Sequence, residues 1–298
     1  MSWQNLAFST FLRLRMKPMS KHAPDIDRVR KATATPMFRP KPPPGWRLVS
    51  SLDPPLKGEW TEPMAGQARR TVLYCHGGGY FFCSPETHRP ITFGLAAAAD
   101  ARIFSLDYRL APEHRCPAAL DDAVAAYRGL LAHGTAPSRI VLGGDSAGGG
   151  LALSTLLALR DAGDPLPAGA VLFSPWTDLA GTGATLDSND RSDVMFYGQG
   201  IREAGKVYLG EIAATDPLAS PLYADLSGLP PLFIQASDSE VLLDDSRRFA
   251  DKARAAGVAV VFRAWPRLPH VWQIFAPALP EARAALAEAG AFIRSIVP

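Results

Sequence analysis

The chain has 298 residues, 47% of them hydrophobic and 20% charged, with a formal net charge of +2 at pH 7. That length accommodates one large α/β domain or two small ones with ample core, and the near balance of charge gives no basis for nucleic-acid binding. Three cysteines, Cys75, Cys83 and Cys116, are too few and too unpatterned for a disulfide framework or a zinc site, so they are expected to be buried thiols.

In residues 1–31, Trp3, Leu6, Ala7, Phe11 and Leu14 recur at near-helical spacing beside Arg13, Arg15 and Lys17. The positive charges follow the apolar run instead of preceding it, the reverse of a secretory signal, and no stretch reaches the roughly 18 apolar residues that a membrane span needs. The pattern predicts an amphipathic helix that packs on the protein, with docking to a membrane surface as the alternative. A cytoplasmic protein with no integral membrane segment is expected. Pro36, Pro40, Pro42, Pro43, Pro44 and Gly45 then form a connector. They divide an N-terminal segment, 1–45, from a main domain, 46–298.

Short apolar pieces at 46–49 and 58–61 suggest edge strands joined by a turn at Asp53-Pro54-Pro55. A regular alternation follows. Strands are predicted over 71–75, 102–106, 139–142, 170–173, 232–235 and 258–262, and helices over 91–99, 118–132, 146–160, 242–255 and 281–296. The strands are continuous apolar runs without polar alternation, which argues for a mostly parallel sheet covered by helices on both faces. Residues 180–229 interrupt this pattern: polar at first, helical near 201–209, then punctuated by proline. An insertion of that size after a strand end is expected to form a lid, the alternative being a surface excursion without contact to substrate.

Gly144, Ser146 and Gly148 form a GxSxG motif where a predicted strand meets a predicted helix. In a nucleophile elbow, glycines two residues before and after the serine let neighbouring backbone pass, and the hydroxyl projects at a helix N-terminus that favours an oxyanion. A glycine-rich turn with Ser146 as helix cap is the plainer alternative. A phosphate cradle fits worse, because no Lys follows and Asp145 would repel the anion. An acyl-transferring serine needs a base, which in turn needs an orienting acid, in the chain order serine, acid, histidine. Of six histidines only His270 follows Ser146. Between them, Asp238, Glu240, Asp244 and Asp245 compete for the acid. Asp244 and Asp245 fall in the first turns of a predicted helix, where acids complement the dipole; Asp238 and Glu240 remain open. The oxyanion hole would draw one N–H from Ala147 and others from His76-Gly77-Gly78-Gly79, with His76 bracing its loop.

These motifs, with Asp107-Tyr108-Arg109-Leu110-Ala111-Pro112-Glu113, Ser174-Pro175-Trp176-Thr177-Asp178-Leu179, Asp216-Pro217-Leu218-Ala219-Ser220-Pro221 and Leu229-Pro230-Pro231, resemble the bacterial hormone-sensitive-lipase-like carboxylesterases of the α/β-hydrolase fold. The resemblance implies hydrolysis of short- to medium-chain carboxylic esters through an acyl-enzyme on Ser146, with no cofactor or metal. It implies an oxyanion hole from Gly78, Gly79 and Ala147, and a cap built from the N-terminal helices and the 180–229 insertion. It further implies a homodimer through the last strand, 258–262. The family's acid is usually Asp in an Asp-x-Leu pattern. Glu240 of Glu240-Val241-Leu242 stands there, which favours Glu240 over the alternative Asp238. Cys83 occupies a place where the family usually carries glycine. Tyr80, Phe81, Trp176, Phe196, Tyr197 and Trp272 are candidates for the pocket walls. An amidase or lactonase on the same triad, or a non-catalytic small-molecule receptor, are the competing readings.

Overall fold

A computed structural model describes residues 2–298; Met1 lies outside the described residues. One eight-stranded sheet organises the chain, in the order β1-β2-β4-β3-β5-β6-β7-β8. Its strands are β1 (Trp46–Ser51), β2 (Gly58–Pro63), β3 (Arg70–Cys75), β4 (Ala101–Leu106), β5 (Ile140–Asp145), β6 (Gly169–Phe173), β7 (Leu232–Ser237) and β8 (Val260–Trp265). β1 pairs with β2, and β2 with β4, antiparallel. From β4 to β8 every pairing is parallel.

The apolar runs are explained by burial on both faces. In β3, Val72 and Tyr74 enter one core cluster, and Leu73 and Cys75 the other. A strand sends successive side chains to opposite faces, so a strand covered on both sides has no polar position to spare. Helices α3 (Arg89–Ala99) and α9 (Pro280–Ile296) cover the Val72 face. On the Leu73 face lie α4 (Ala118–Ala132), α5 (Ala147–Asp161) and α8 (Leu243–Ala255). The insertion contributes the short α6 (Thr185–Ser188) and the longer α7 (Gly198–Leu209). The last strand runs two residues later than its apolar stretch suggested, because Gly257, at φ +82°, ends the α8 turn and Val258 still packs beneath it.

The N-terminal segment departs from expectation. It comprises two helices, α1 (Trp3–Arg15) and α2 (Ile26–Thr33), separated by a tight turn over Lys17–Ser20 that contains Pro18. α1 does pack on the protein, but through Leu12, Asn5 and the partly buried Phe8; Trp3, Leu6, Ala7, Phe11 and Leu14 face outward. Polar tethers determine the rotation. Ser2 donates through its backbone N–H and its hydroxyl to Glu281, and Asn5 Nδ2 donates to Arg267 O at 3.0 Å. Lys17 Nζ donates to the carbonyls of Asp190 and Asp193. Turning the apolar stripe inward would strip the buried Asn5 and Lys17 of partners, at about 1 to 3 kcal/mol each, and break the part-buried Ser2–Glu281 contact.

Candidate active site

β5 ends at Asp145, and Ser146 turns the chain into α5 with φ +52° and ψ −123°. That positive φ is costly for a residue with a Cβ, of order 1 to 3 kcal/mol, so its surroundings must hold it. They do: Ser146 N–H donates to Phe173 O at 2.9 Å, while Ser146 O accepts from Trp176 N and Gly150 N. A Cβ on Gly144 would lie 2.2 Å from Gly148 O, and one on Gly148 would lie 2.1 Å from Cys75 O. Both flanking positions therefore require glycine. Ser146 stands at the N-cap position, but its side chain makes no capping hydrogen bond among the described residues.

His270 follows β8 in a buried loop, and its Nδ1 lies 3.0 Å from Glu240 Oε2. The same carboxylate oxygen accepts the Ser174 hydroxyl at 2.8 Å, and Ser174 directly follows the Phe173 carbonyl that holds Ser146. One short junction, 173–174, thus ties Ser146, Glu240 and the His270 loop together. Asp238 is exposed and turned away, its Oδ1 accepting Arg267 N–H at 2.7 Å. Burial disfavours the charged imidazolium of His270, but the facing Glu240 carboxylate, together with the charges of Asp193 and Asp145, holds the pKa above the ordinary histidine value. Among the described residues, His270 Nε2 has no hydrogen-bond partner although it is buried. A neutral imidazole with Nδ1–H on Glu240 presents a bare lone pair at that atom.

The loop after β3 carries Gly78 at φ +112°, where a Cβ would lie 2.2 Å from Phe82 O. The N–H groups of Gly78, Gly79 and Ala147 find no acceptor among the described residues. His76 is a brace: its ring stacks on Tyr108 at 4.3 Å, and burial and His88 lower its pKa to about 4. Of the wall candidates, Phe196 places its ring edge-on to His270 at 5.3 Å, and Tyr197 lies under the Lys17 ammonium. Tyr80, Phe81, Trp176 and Trp272 are closed off within the core, Tyr80 stacked on Tyr208 at 3.7 Å and Trp272 against Trp265 at 5.7 Å.

A family profile described as the alpha/beta hydrolase fold matches residues 72–274. An acetyl-hydrolase of Streptomyces hygroscopicus is 48% identical over 237 residues, 80% of this chain and 79% of that protein. The esterase EstE5, in a crystal soaked with p-nitrophenyl butyrate, superposes with a TM-score of 0.92 at 38% identity and 99% coverage of both chains. An esterase from the bacterial hormone-sensitive lipase family superposes at 0.89, with 40% identity over 100% of this chain and 99% of the other. The chain belongs to the hormone-sensitive-lipase-like esterases of the α/β-hydrolase fold.

Within this hormone-sensitive-lipase-like site, three further side chains have roles that motif and spacing do not reveal. In the sequence Asp145 argues only against a phosphate cradle. Its Oδ1 accepts Tyr74 OH at 2.7 Å and Gly77 N–H at 3.0 Å, and Oδ2 lies 3.2 Å from His88 Nε2, so it fastens the glycine loop after β3 to the turn at Ser146. Asp193, in the insertion, accepts from Met195 N and Phe196 N through Oδ1 and from Val241 N through Oδ2. It thereby joins Phe196 to the loop bearing Glu240. Ser174 is the third. Asp145 carried a sequence signal, being the elbow residue beside the nucleophile; the other two depend on partners more than 45 residues away.

Proposed function

We propose that the protein is a serine carboxylesterase acting on short- to medium-chain esters, with Ser146 as nucleophile, His270 as base and Glu240 as the acid that orients it. One observation carries the reading: a buried Glu240–His270 pair whose Nε2 is left without a partner, in a site whose elbow serine makes no capping bond. His270 Nε2 takes the Ser146 proton as Oγ bonds to the ester carbonyl carbon, and the charge passes to the carbonyl oxygen. The N–H groups of Gly78, Gly79 and Ala147 receive that oxyanion, each worth on the order of 3 kcal/mol in the transition state. The imidazolium returns its proton to the departing alcohol. Water then attacks the acyl-enzyme by the same route, releasing the acid and restoring the serine. The raised pKa of His270 keeps it basic enough for this exchange near neutral pH.

The N-terminal segment (1–45) and the insertion (180–229) form a cap over this site. Supporting this, Lys17 bonds to the carbonyls of Asp190 and Asp193, and Ser20 Oγ engages Met195 O and Tyr197 N. Phe196, held beside His270 by Asp193, is the wall residue with most support. The butyrate ester soaked into EstE5 and the acetyl-hydrolase name of the Streptomyces relative favour short acyl chains. A homodimer through β8 is proposed because that strand ends the sheet with an unpaired edge; a monomer in sedimentation equilibrium would contradict it. The three free cysteines suit a cytoplasmic site, which cell fractionation checks.

The decisive experiment measures p-nitrophenyl ester hydrolysis from acetate to palmitate, beside matching amides and lactones. Ser146→Ala should lower kcat by about 10⁴-fold or more while circular dichroism stays native. Retained activity in that variant would refute the acyl-enzyme. Faster turnover of the amides or lactones would reassign the bond.

A further inference from the structure

The α1 helix is inside-out. At 100° per residue, Leu6, Thr10, Trp3, Leu14, Ala7 and Phe11 occupy one continuous arc. A soluble helix would bury such an arc. Here Trp3 is 76% exposed, Leu14 70%, Leu6 66% and Phe11 47%, while the opposite arc, with Asn5 and Leu12, is buried. The rotation is deliberate in the physical sense, because the Ser2, Asn5 and Lys17 tethers described above hold it.

The chemistry at the borders of the arc identifies what it fits. α1 contains no Asp or Glu, and Arg13 and Arg15 flank the apolar arc on its two sides. Arg13 spends its guanidinium on the backbone carbonyls of Arg191 and Ser192, so its charge is not neutralised and a further exposed arginine stands beside it. Arg15 forms no ion pair among the described residues. An apolar face carrying Trp, Leu and Phe within a rim of arginine is the pattern of a helix lying in the plane of a bilayer interface. A second copy is a poorer occupant, since a two-fold contact on this face would set the same arginines against each other.

We propose that α1 is an interfacial helix by which the folded protein docks reversibly on an anionic phospholipid surface. Trp3, Leu6, Phe11 and Leu14 enter the headgroup boundary, Arg15 contacts lipid phosphates, and the unneutralised charge of Arg13 adds to the attraction. The helix is too short and too polar on its inner side to span the bilayer. The proposal stands on exposure and charge, independently of the catalytic reading, and its test requires no turnover.

The full-length protein is sedimented with vesicles of phosphatidylcholine containing about one third phosphatidylglycerol, beside vesicles of phosphatidylcholine alone. Binding to the mixed vesicles is expected, weakened severalfold by high salt and lost by about tenfold or more in Leu6→Ser/Leu14→Ser. Both positions are exposed, so an unchanged melting temperature verifies the variant's fold. Brominated lipid should quench the wild type, and Trp3→Phe should abolish that quenching. Failure to sediment with either vesicle overturns the proposal, as does equal binding by the double variant. Conversion of a dimer to a monomer by the double variant, with no vesicle binding by the wild type, would assign the face to a second copy instead.

Discussion

The site contains two buried histidine–carboxylate pairs of nearly equal length, His270–Glu240 at 3.0 Å and His88–Asp145 at 3.2 Å. They do different work. His88 has both ring nitrogens engaged, Nε2 facing Asp145 Oδ2 at 3.2 Å and Nδ1 by Thr87 Oγ1 at 2.9 Å. His270 has one nitrogen engaged and one bare. A histidine saturated with partners is suited to bracing, and a buried histidine with one nitrogen free among the described residues is suited to the proposed role of base. The carboxylates differ in the same way. Asp145 binds three separate groups through both its oxygens and welds the glycine loop after β3 to the turn at Ser146, whereas Glu240 holds the His270 ring and the Ser174 hydroxyl through Oε2 alone and leaves Oε1 without a partner among the described residues.

The largest expected effect tests the catalytic pair. Glu240→Gln should lower kcat for p-nitrophenyl butyrate by about 10⁴-fold, because an amide cannot stabilise the imidazolium and disturbs the tautomer. Asp238→Asn should change it less than about threefold, since that residue only braces Arg267. The reverse order would return the acid's role to Asp238.

Next comes the bracing pair. Asp145→Asn keeps the shape but loses the charge facing His88, and should cost about 2 kcal/mol in chemical denaturation and on the order of tenfold or more in kcat. A loss of kcat as large as that of Glu240→Gln, with stability unchanged, would mean that the His88–Asp145 pair takes part in proton transfer and that the distinction is wrong.

A smaller and more diagnostic effect lies in the pH profile. His270 must be neutral to accept the serine proton, so kcat/KM falls as pH drops through its pKa. Glu240 raises that pKa, so the acid limb of the wild type should have its midpoint above the ordinary histidine value, about 6.5. In Glu240→Gln the residual activity should show the limb moved to lower pH. An unmoved limb would separate Glu240 from the base. The smallest effect concerns Cys83, whose φ of +70° is a conformation that glycine adopts without strain. Cys83→Gly relieves that strain but adds unfolded-state entropy, so the melting midpoint should move by less than about 1 kcal/mol equivalent, with kcat unchanged.

Much of this molecule was legible before its structure. The parallel sheet followed from apolar runs, because strands buried on both faces must lack polar alternation. The elbow and the glycine loop were legible because their backbone demands exclude a Cβ, a requirement written directly into residue type. His270 stood out because no other histidine follows Ser146. What the sequence alone determined, then, was periodicity, chain order and the positions only glycine can occupy, all of them local quantities. Tertiary structure decided the remainder. Glu240 and Asp238 lie two residues apart in one loop, and only the path of that loop beneath Ser174 aims one at His270 and the other at Arg267. Asp145 and Asp193 became structural only when amides distant in sequence reached them. The α1 stripe shows the limit most plainly: its hydrophobic period predicts an amphipathic helix whichever way it faces. The rotation that leaves Trp3 and Leu14 outside was decided by hydrogen bonds to Glu281, Arg267 and the 190–193 loop, partners that no local pattern encodes.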